Sequence, residues 1–335
     1  MENLLQLGTD DGVMSFKPNK DGEWALKHHS LKGHYIWVVV THPENIDIAF
    51  AGTRDSGLFS THDGGATWQN IGEHLGFKYV RGLAIHPNAP NRLYVGSKPA
   101  DVFIYDVERG SWESTSVRKL PSVAEWTFPE PPHIPHVKHM SIDPTRPCTI
   151  YAAIEEGWIA ATDDAGKTWR ELKNGLFFDT HMIVVDPNNS NRLYCPNGHW
   201  LYQSDDRGES WKRIAEELSR RYLSAFLVNP SDSDHLLLSA TDGPPPDWFS
   251  REKGADAAIY QSYNGGLTWE EGSNGIPDSM KWPVQALVVD PANKSTFYMV
   301  AREGVIWHSQ NSGADWEVLM DNLPNTICCN MVAIQ

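Results

Sequence analysis

Thr162-Asp163-Asp164-Ala165-Gly166-Lys167-Thr168-Trp169 decides the fold, because the same eight-residue pattern keeps returning along the chain. It recurs as Thr61-His62-Asp63-Gly64-Gly65-Ala66-Thr67-Trp68 and as Ser204-Asp205-Asp206-Arg207-Gly208-Glu209-Ser210-Trp211. Softer copies occupy residues 262–269 and 309–316, and degenerate ones that keep the closing tryptophan occupy 106–112 and 15–24. Trp24, Trp68, Trp112, Trp169, Trp211, Trp269 and Trp316 therefore close seven units. Their spacing of roughly 40 to 60 residues is that of a propeller or solenoid array.

The chemistry of the pattern is that of a hairpin turn. A short Asp or Asn side chain accepts from backbone N–H groups ahead of it, Gly supplies a positive φ, and a Ser or Thr hydroxyl caps the corner. The tryptophan then buries its ring between neighbouring sheets. On this reading Asp63, Asp164, Asp206, Asn264 and Asn311 are structural residues and not catalytic carboxylates.

Each unit opens with an apolar run that ends in a polar-Pro turn, as in Leu83-Ala84-Ile85-His86-Pro87 or Ile183-Val184-Val185-Asp186-Pro187. Such runs are buried strands. A second follows at once, for example Leu93-Tyr94-Val95-Gly96; a third enters the turn pattern and a fourth leaves it. Four antiparallel strands make a propeller blade. Residues 3–30 lack a first strand and residues 326–335 supply one, so joining the ends closes a ring and removes open sheet edges. The expectation is an all-β, seven-bladed β-propeller with four-stranded antiparallel blades, forming a single domain over residues 1–335.

The eight-residue signature resembles the Asp-box of the BNR-repeat proteins, a group that includes sialidases, xyloglucan-cleaving glycosidases, sortilin and a photosystem assembly factor. That resemblance implies a propeller far more specifically than it implies an activity. It also implies that loops between blades and loops between second and third strands share one face. The long insertions at 113–135 and 241–258 both fall there, carrying Trp126 and Trp248 among prolines and other aromatics. The sialidase comparison weakens, because the chain lacks the N-terminal Arg-Ile-Pro type motif and sialidases are six-bladed.

Composition narrows the functional classes. A net charge of −15 argues against nucleic acid or an anionic membrane surface as partner. Cys148, Cys195, Cys328 and Cys329 have neither metal-finger spacing nor a disulfide framework. The N-terminus reads as lacking a signal peptide, no stretch has the length of a membrane span, and a cytoplasmic location is expected.

Aligning the blades on their polar-Pro turns brings a polar ring to the mouth of the propeller. Six residues before the proline stand Trp37, Arg81, Lys138, His181, Ser224 and Gln285; two residues earlier stand Tyr35, Tyr79, His136, Asp179, Tyr222 and Pro283. Second strands end near Arg54, Lys98 and Asp101, Glu155 and Glu156, and Arg302 with Glu303. Convergent polar groups at a concave mouth are the signature of a ligand site. Ligand contacts are therefore expected from Arg54, Tyr35, Tyr79, Arg81, Lys138, His181, Tyr222, Gln285, Arg302, Trp126 and Trp248.

Glycoside cleavage needs one protonated and one ionised carboxyl. The preferred pair is Glu155 or Glu156 as acid with Asp179 as base or nucleophile, in a glycosidase-like hydrolase acting on a sugar or small polar, anionic ligand. Two alternatives stay open: a metal-dependent lyase or hydrolase holding a divalent ion on His34, His136, His139 and His181, and a non-catalytic scaffold for a peptide or protein partner.

Overall fold

The computed structural model describes residues 2–334. It contains seven four-stranded sheets, the count given by the tryptophan repeat, and the architecture is an all-β, seven-bladed propeller. By compactness the chain divides into two units: residues up to Glu171 together with those from Ile327 onward, and Leu172–Thr326.

The first unit holds four sheets. One consists of β1 (Glu2–Thr9), β2 (Gly12–Pro18) and β3 (Trp24–Ser30), with the C-terminal strand β28 (Thr326–Ile334) beside β1. The next is β4 (Ile36–His42), β5 (Asn45–Thr53), β6 (Leu58–Thr61) and β7 (Gln69–Asn70). Then come β8 (Tyr79–Ile85), β9 (Arg92–Lys98), β10 (Val102–Asp106) and β11 (Ser111–Ser114), and β12 (His136–Ile142), β13 (Ile150–Glu155), β14 (Ile159–Thr162) and β15 (Arg170–Leu172). The second unit holds three. These are β16 (Val184–Asp186), β17 (Asn189–Pro196), β18 (Leu201–Ser204) and β19 (Lys212–Ile214); β20 (Tyr222–Asn229), β21 (Asp232–Thr241), β22 (Ala258–Ser262) and β23 (Glu270–Glu271); and β24 (Val284–Asp290), β25 (Asn293–Ala301), β26 (Val305–Ser309) and β27 (Glu317–Met320).

The turn that links third and fourth strands is built as its residues dictate. Thr162 Oγ1–H donates to Asp164 Oδ1 at 2.8 Å, and Thr162 Oγ1 accepts from the Gly166 N–H at 3.0 Å. Asp164 in turn accepts from the Thr168 N–H at 2.8 Å and its hydroxyl at 2.6 Å. Trp169 Nε1–H closes the loop on the Gly166 carbonyl at 3.2 Å. Three of these bonds recur around Asp63, Asp206, Asn264 and Asn311: the Ser or Thr hydroxyl to the Asp or Asn oxygen, the glycine N–H to that hydroxyl, and the N–H four residues on to the Asp or Asn oxygen. Hydrogen bonds from Thr67 and Thr168 pull the Asp63 and Asp164 carboxyls down to about 2, so both are fixed anions inside their turns. Gly65 shows why the pattern demands glycine: its φ is 96°, and a Cβ there would stand 2.7 Å from Ser15 Oγ of the neighbouring sheet.

Second strands form the core. Tyr94, Tyr151, Tyr194 and Phe297 on β9, β13, β17 and β25 are fully buried. Both insertions are anchored inward. Residues 113–135 carry two short 3-10 turns, and Trp126 is buried in the cluster of Ile154, Val117 and Leu120 while donating to Ser122 Oγ at 3.0 Å. The 241–258 insertion carries a short helix, α1 (Pro245–Ser250); its Trp248 is buried against Tyr222 and donates to the Gly243 carbonyl at 2.8 Å. The expectation that these two tryptophans present faces to a ligand is thus corrected, because a large apolar ring at the root of an insertion lowers free energy more by burial than by exposure. Among the described residues no helix is long and apolar enough to cross a membrane. The four cysteines are free thiols: Cys195 is buried, Cys328 and Cys329 are partly so, and Cys148 is exposed.

Candidate functional site

The site in the first unit begins with a backbone irregularity. In β4, β8 and β12 the register slips by one residue between Ile36 and Val38, between Val80 and Gly82, and between Val137 and His139. The extra residues are Trp37, Arg81 and Lys138, so the polar position six before the proline is a β-bulge, a device that re-aims a side chain. The same slip places Ser224 and Gln285 at bulges in β20 and β24. Around His181 the N–H groups of His181 and Met182 share the Pro196 carbonyl at 3.2 and 3.3 Å, which is the same two-to-one pairing.

Register also pairs the position eight before the proline with the end of the second strand. Tyr79 stands opposite Lys98 and His136 opposite Glu155, and the Arg54 N–H bonds the Tyr35 carbonyl at 3.0 Å. Cross-strand neighbours interact directly. The Arg54 guanidinium lies 4.7 Å from the Tyr35 ring centroid, and the Lys98 ammonium lies 5.5 Å from Tyr79 and 4.7 Å from Phe128. The Arg81 guanidinium covers Trp37 at 4.2 Å. Rings continue the line from blade to blade: Tyr35 to Trp37 at 4.6 Å, Trp37 to Tyr79 at 5.7 Å, and Tyr79 to His136 at 4.8 Å.

The line ends on the Glu155 carboxylate, whose side chain is 12% exposed. Glu155 Oε1 accepts from Lys138 Nζ at 2.6 Å, Oε2 lies 2.9 Å from His136 Nε2, and Arg81 is 3.8 Å away. Burial alone would raise the Glu155 carboxyl; Lys138, His136 and Arg81 more than offset it and hold the group well below the usual carboxylate range. Glu155 is therefore an anion. The expectation that it donates a proton is corrected: in this arrangement it is a base, a nucleophile or a charge partner. Glu156 sits in the following turn with φ 54°, its carbonyl accepting from the Thr127 N–H at 3.1 Å.

His136 is 1% exposed, and burial pushes it down to about 4 despite the pull of Glu155. Its neutral ring uses Nε2 for Glu155 and, at 3.3 Å, the Tyr79 hydroxyl. Nδ1 of His136 and Nε1 of Trp37 are buried without a partner among the described residues. Such atoms cost about 1–3 kcal/mol unless a ligand supplies the bond.

A pH dependence of stability follows. Because the folded value lies below the ordinary 6.5, the unfolded chain binds the extra proton, so this contribution is complete above about pH 6.5 and is lost as pH falls toward 4. The loss amounts to about 3 kcal/mol. Urea midpoints at pH 7, 5.5 and 4.5 should fall along this course and should flatten in His136→Asn; parallel profiles for the two proteins would refute it.

The other expected residues have other surroundings. His34 bonds Ser56 Oγ through Nδ1 at 3.0 Å and rests on Phe59, while His139 stands opposite Ala153 beyond the bulge. Among the described residues no group of three potential ligands includes His34, His136 or His139, so the expected four-histidine metal set is not assembled. In the second unit His181 Nε2 lies 3.2 Å from Asp179, its Nδ1 faces the Leu223 carbonyl at 3.4 Å, and its ring meets Tyr222 at 4.9 Å. Asp179 and His181 thus form an oriented acid–imidazole pair. The Arg302 N–H bonds the Pro283 carbonyl at 3.0 Å, and its carbonyl accepts from Thr326 at 3.0 Å. Sequence reasoning set Lys98 at the mouth but not among the ligand contacts, and what it lacked was the cross-strand register of Tyr79 with Lys98.

No protein-family model matches the chain. It is similar in sequence to a probable oligoxyloglucan-reducing end-specific xyloglucanase of Neosartorya fischeri, with 25% identity over 286 residues that cover 78% of this chain and 33% of that protein. The chain spans only 20 to 33% of the length of the xyloglucanases it matches. In structure it is similar to the Niastella koreensis GH74 enzyme (TM-score 0.69, 15% identity, 96% of this chain and 53% of that one). It is similar also to YCF48 bound to D1 peptide (TM-score 0.56, 17% identity, 85% of this chain and 84% of that one).

Proposed function

We propose that this chain is a carbohydrate-acting propeller of glycosidase type, with the sugar held in the first unit where β4, β8 and β12 begin. The observation that carries the reading is the continuous line of Tyr35, Trp37, Tyr79 and Phe128 rings leading to the ionised Glu155. Sugar rings combine apolar faces with hydroxyls that both donate and accept. Aromatic side chains suit the former; the unpartnered Trp37 Nε1–H and His136 Nδ1 suit the latter. Sequence similarity to xyloglucanases supports the same substrate class.

The chemistry requires a protonated partner for the anion. In the same unit burial pushes the Asp101 carboxyl up; it lies in the turn after β9, three residues beyond Lys98. That direction makes Asp101 the candidate acid to be tested, with Glu155 as base or nucleophile. The turn signatures support membership of the Asp-box repeat group.

The test is turnover of xyloglucan oligosaccharides and a panel of chromogenic glycosides, with binding followed by calorimetry. Asp101→Asn should cut turnover by about 10²–10⁴-fold, the usual contribution of a positioned acid, while leaving oligosaccharide affinity within a few-fold. Neither binding nor turnover of any sugar, together with capture of a peptide, would replace this reading with that of a scaffold.

A further inference from the structure

The cations of the first unit are not all balanced by Glu155. That carboxylate takes Lys138 and Arg81. Arg54 and Lys98 stand on rings instead, and among the described residues neither forms an ion pair. The nearest acid in sequence to Arg54 is Asp55, whose Oδ1 accepts from the Ser56 hydroxyl at 2.9 Å. In a chain with a net charge of −15, Arg54 and Lys98 join Arg81 and Lys138 among the rings of the first unit.

Their geometry says what they are for. A guanidinium or ammonium laid on an aromatic face is held in place at small entropic cost, and its N–H donors still point outward. Such a cation also covers the ring face that would otherwise stack on a neutral sugar. Arg54 covers Tyr35, Arg81 covers Trp37 and Lys98 covers Tyr79 and Phe128, so the surface offered to a ligand is a row of donors backed by rings. Neutral hydroxyls are poor occupants for such a row, whereas a carboxylate makes charge-assisted bonds to it.

We infer that this site recognises an acidic oligosaccharide, one whose sugar units carry carboxylates, with Arg54 and Lys98 as the specificity residues. The inference rests on the carbohydrate reading above and narrows its substrate class.

Calorimetric titration with tetragalacturonic acid and with cellotetraose, its neutral counterpart in length, tests it. At low ionic strength the acidic probe should bind at least tenfold more tightly than the neutral one, and that preference should shrink as NaCl is raised toward 0.5 M, where screening is short-ranged. The Arg54→Gln/Lys98→Gln double variant should lose at least tenfold in affinity for the acidic probe and erase the preference. Both positions lie outside the buried core, and an unchanged urea midpoint will show that the fold is intact. Equal affinity of the parent for the two probes, or a preference untouched by the double variant, overturns the inference while leaving the carbohydrate reading standing. Binding of neither probe, nor of the neutral xyloglucan oligosaccharides, defeats both. An acidic peptide that displaces the acidic probe and binds more tightly than it also overturns the inference.

Discussion

Trp316→Ala lowers stability by about 3–5 kcal/mol, the range for deleting a large buried aromatic. Trp316 is 5% exposed and lies in the cluster of Leu237, Met280, Phe297 and Trp307. Three further contacts depend on its placement. Its indole N–H bonds the Gly313 carbonyl at 2.9 Å, its backbone N–H bonds the Asn274 carbonyl at 2.9 Å, and its own carbonyl lies against Gly275, where φ is 84°. Asn274 also bridges to Asp315, so the corner ties β27 to the turn that follows β23 in the adjoining sheet. Trp68 makes a useful comparison, since it performs the same closing role while partly exposed, sharing its N–H between Ser30 Oγ at 2.8 Å and Gly65 O at 3.2 Å. Trp68→Ala should therefore cost less than Trp316→Ala. Urea denaturation of the two variants beside the parent checks both the size and the order. A Trp316→Ala midpoint equal to that of the parent would sink the claim that the tryptophan corners hold sheet to sheet.

The fold was legible because its determinants are local. Asp164 and Thr168 are four residues apart and bond each other, as do Asp206 and Ser210, so a short pattern carries a complete turn. The position of β28 beside β1 followed from an incomplete first unit. The site was legible by halves. Counting back from the proline found Arg81, Lys138 and His136, but it could not show the bulges at Trp37, Arg81 and Lys138 that re-aim those side chains. The protonation of Glu155 was not legible, because it is set by groups brought in from two different sheets, Arg81 on β8 and Lys138 and His136 on β12. Trp126 and Trp248 were misread for a related reason: proline and aromatic content marks an insertion without saying which ring faces inward.

Glu155→Gln is expected to lose about 3–5 kcal/mol of stability, since it leaves the Lys138 ammonium, 10% exposed, without the carboxylate 2.6 Å away. Under the carbohydrate reading the same change removes the base or nucleophile, a loss of about 10²–10⁴-fold in turnover. The two effects can be separated. Lys138→Met alone exposes the opposite fault, an anion deprived of the ammonium 2.6 Å away, and the Glu155 carboxyl then rises. Combining Glu155→Gln with Lys138→Met removes both charges at once, and replacing a buried pair by groups of similar volume is often close to neutral. The double variant should thus recover at least about 2 kcal/mol relative to the sum of the single losses, as a double-mutant cycle measures. Turnover should not recover, because no carboxylate returns. Recovery of stability without activity separates a reacting group from a structural ion pair. Full activity in the double variant would show that turnover needs neither Glu155 nor Lys138 and would strike Glu155 from the reacting groups, and absence of any coupling between the two substitutions would remove the ion pair from the account of this site.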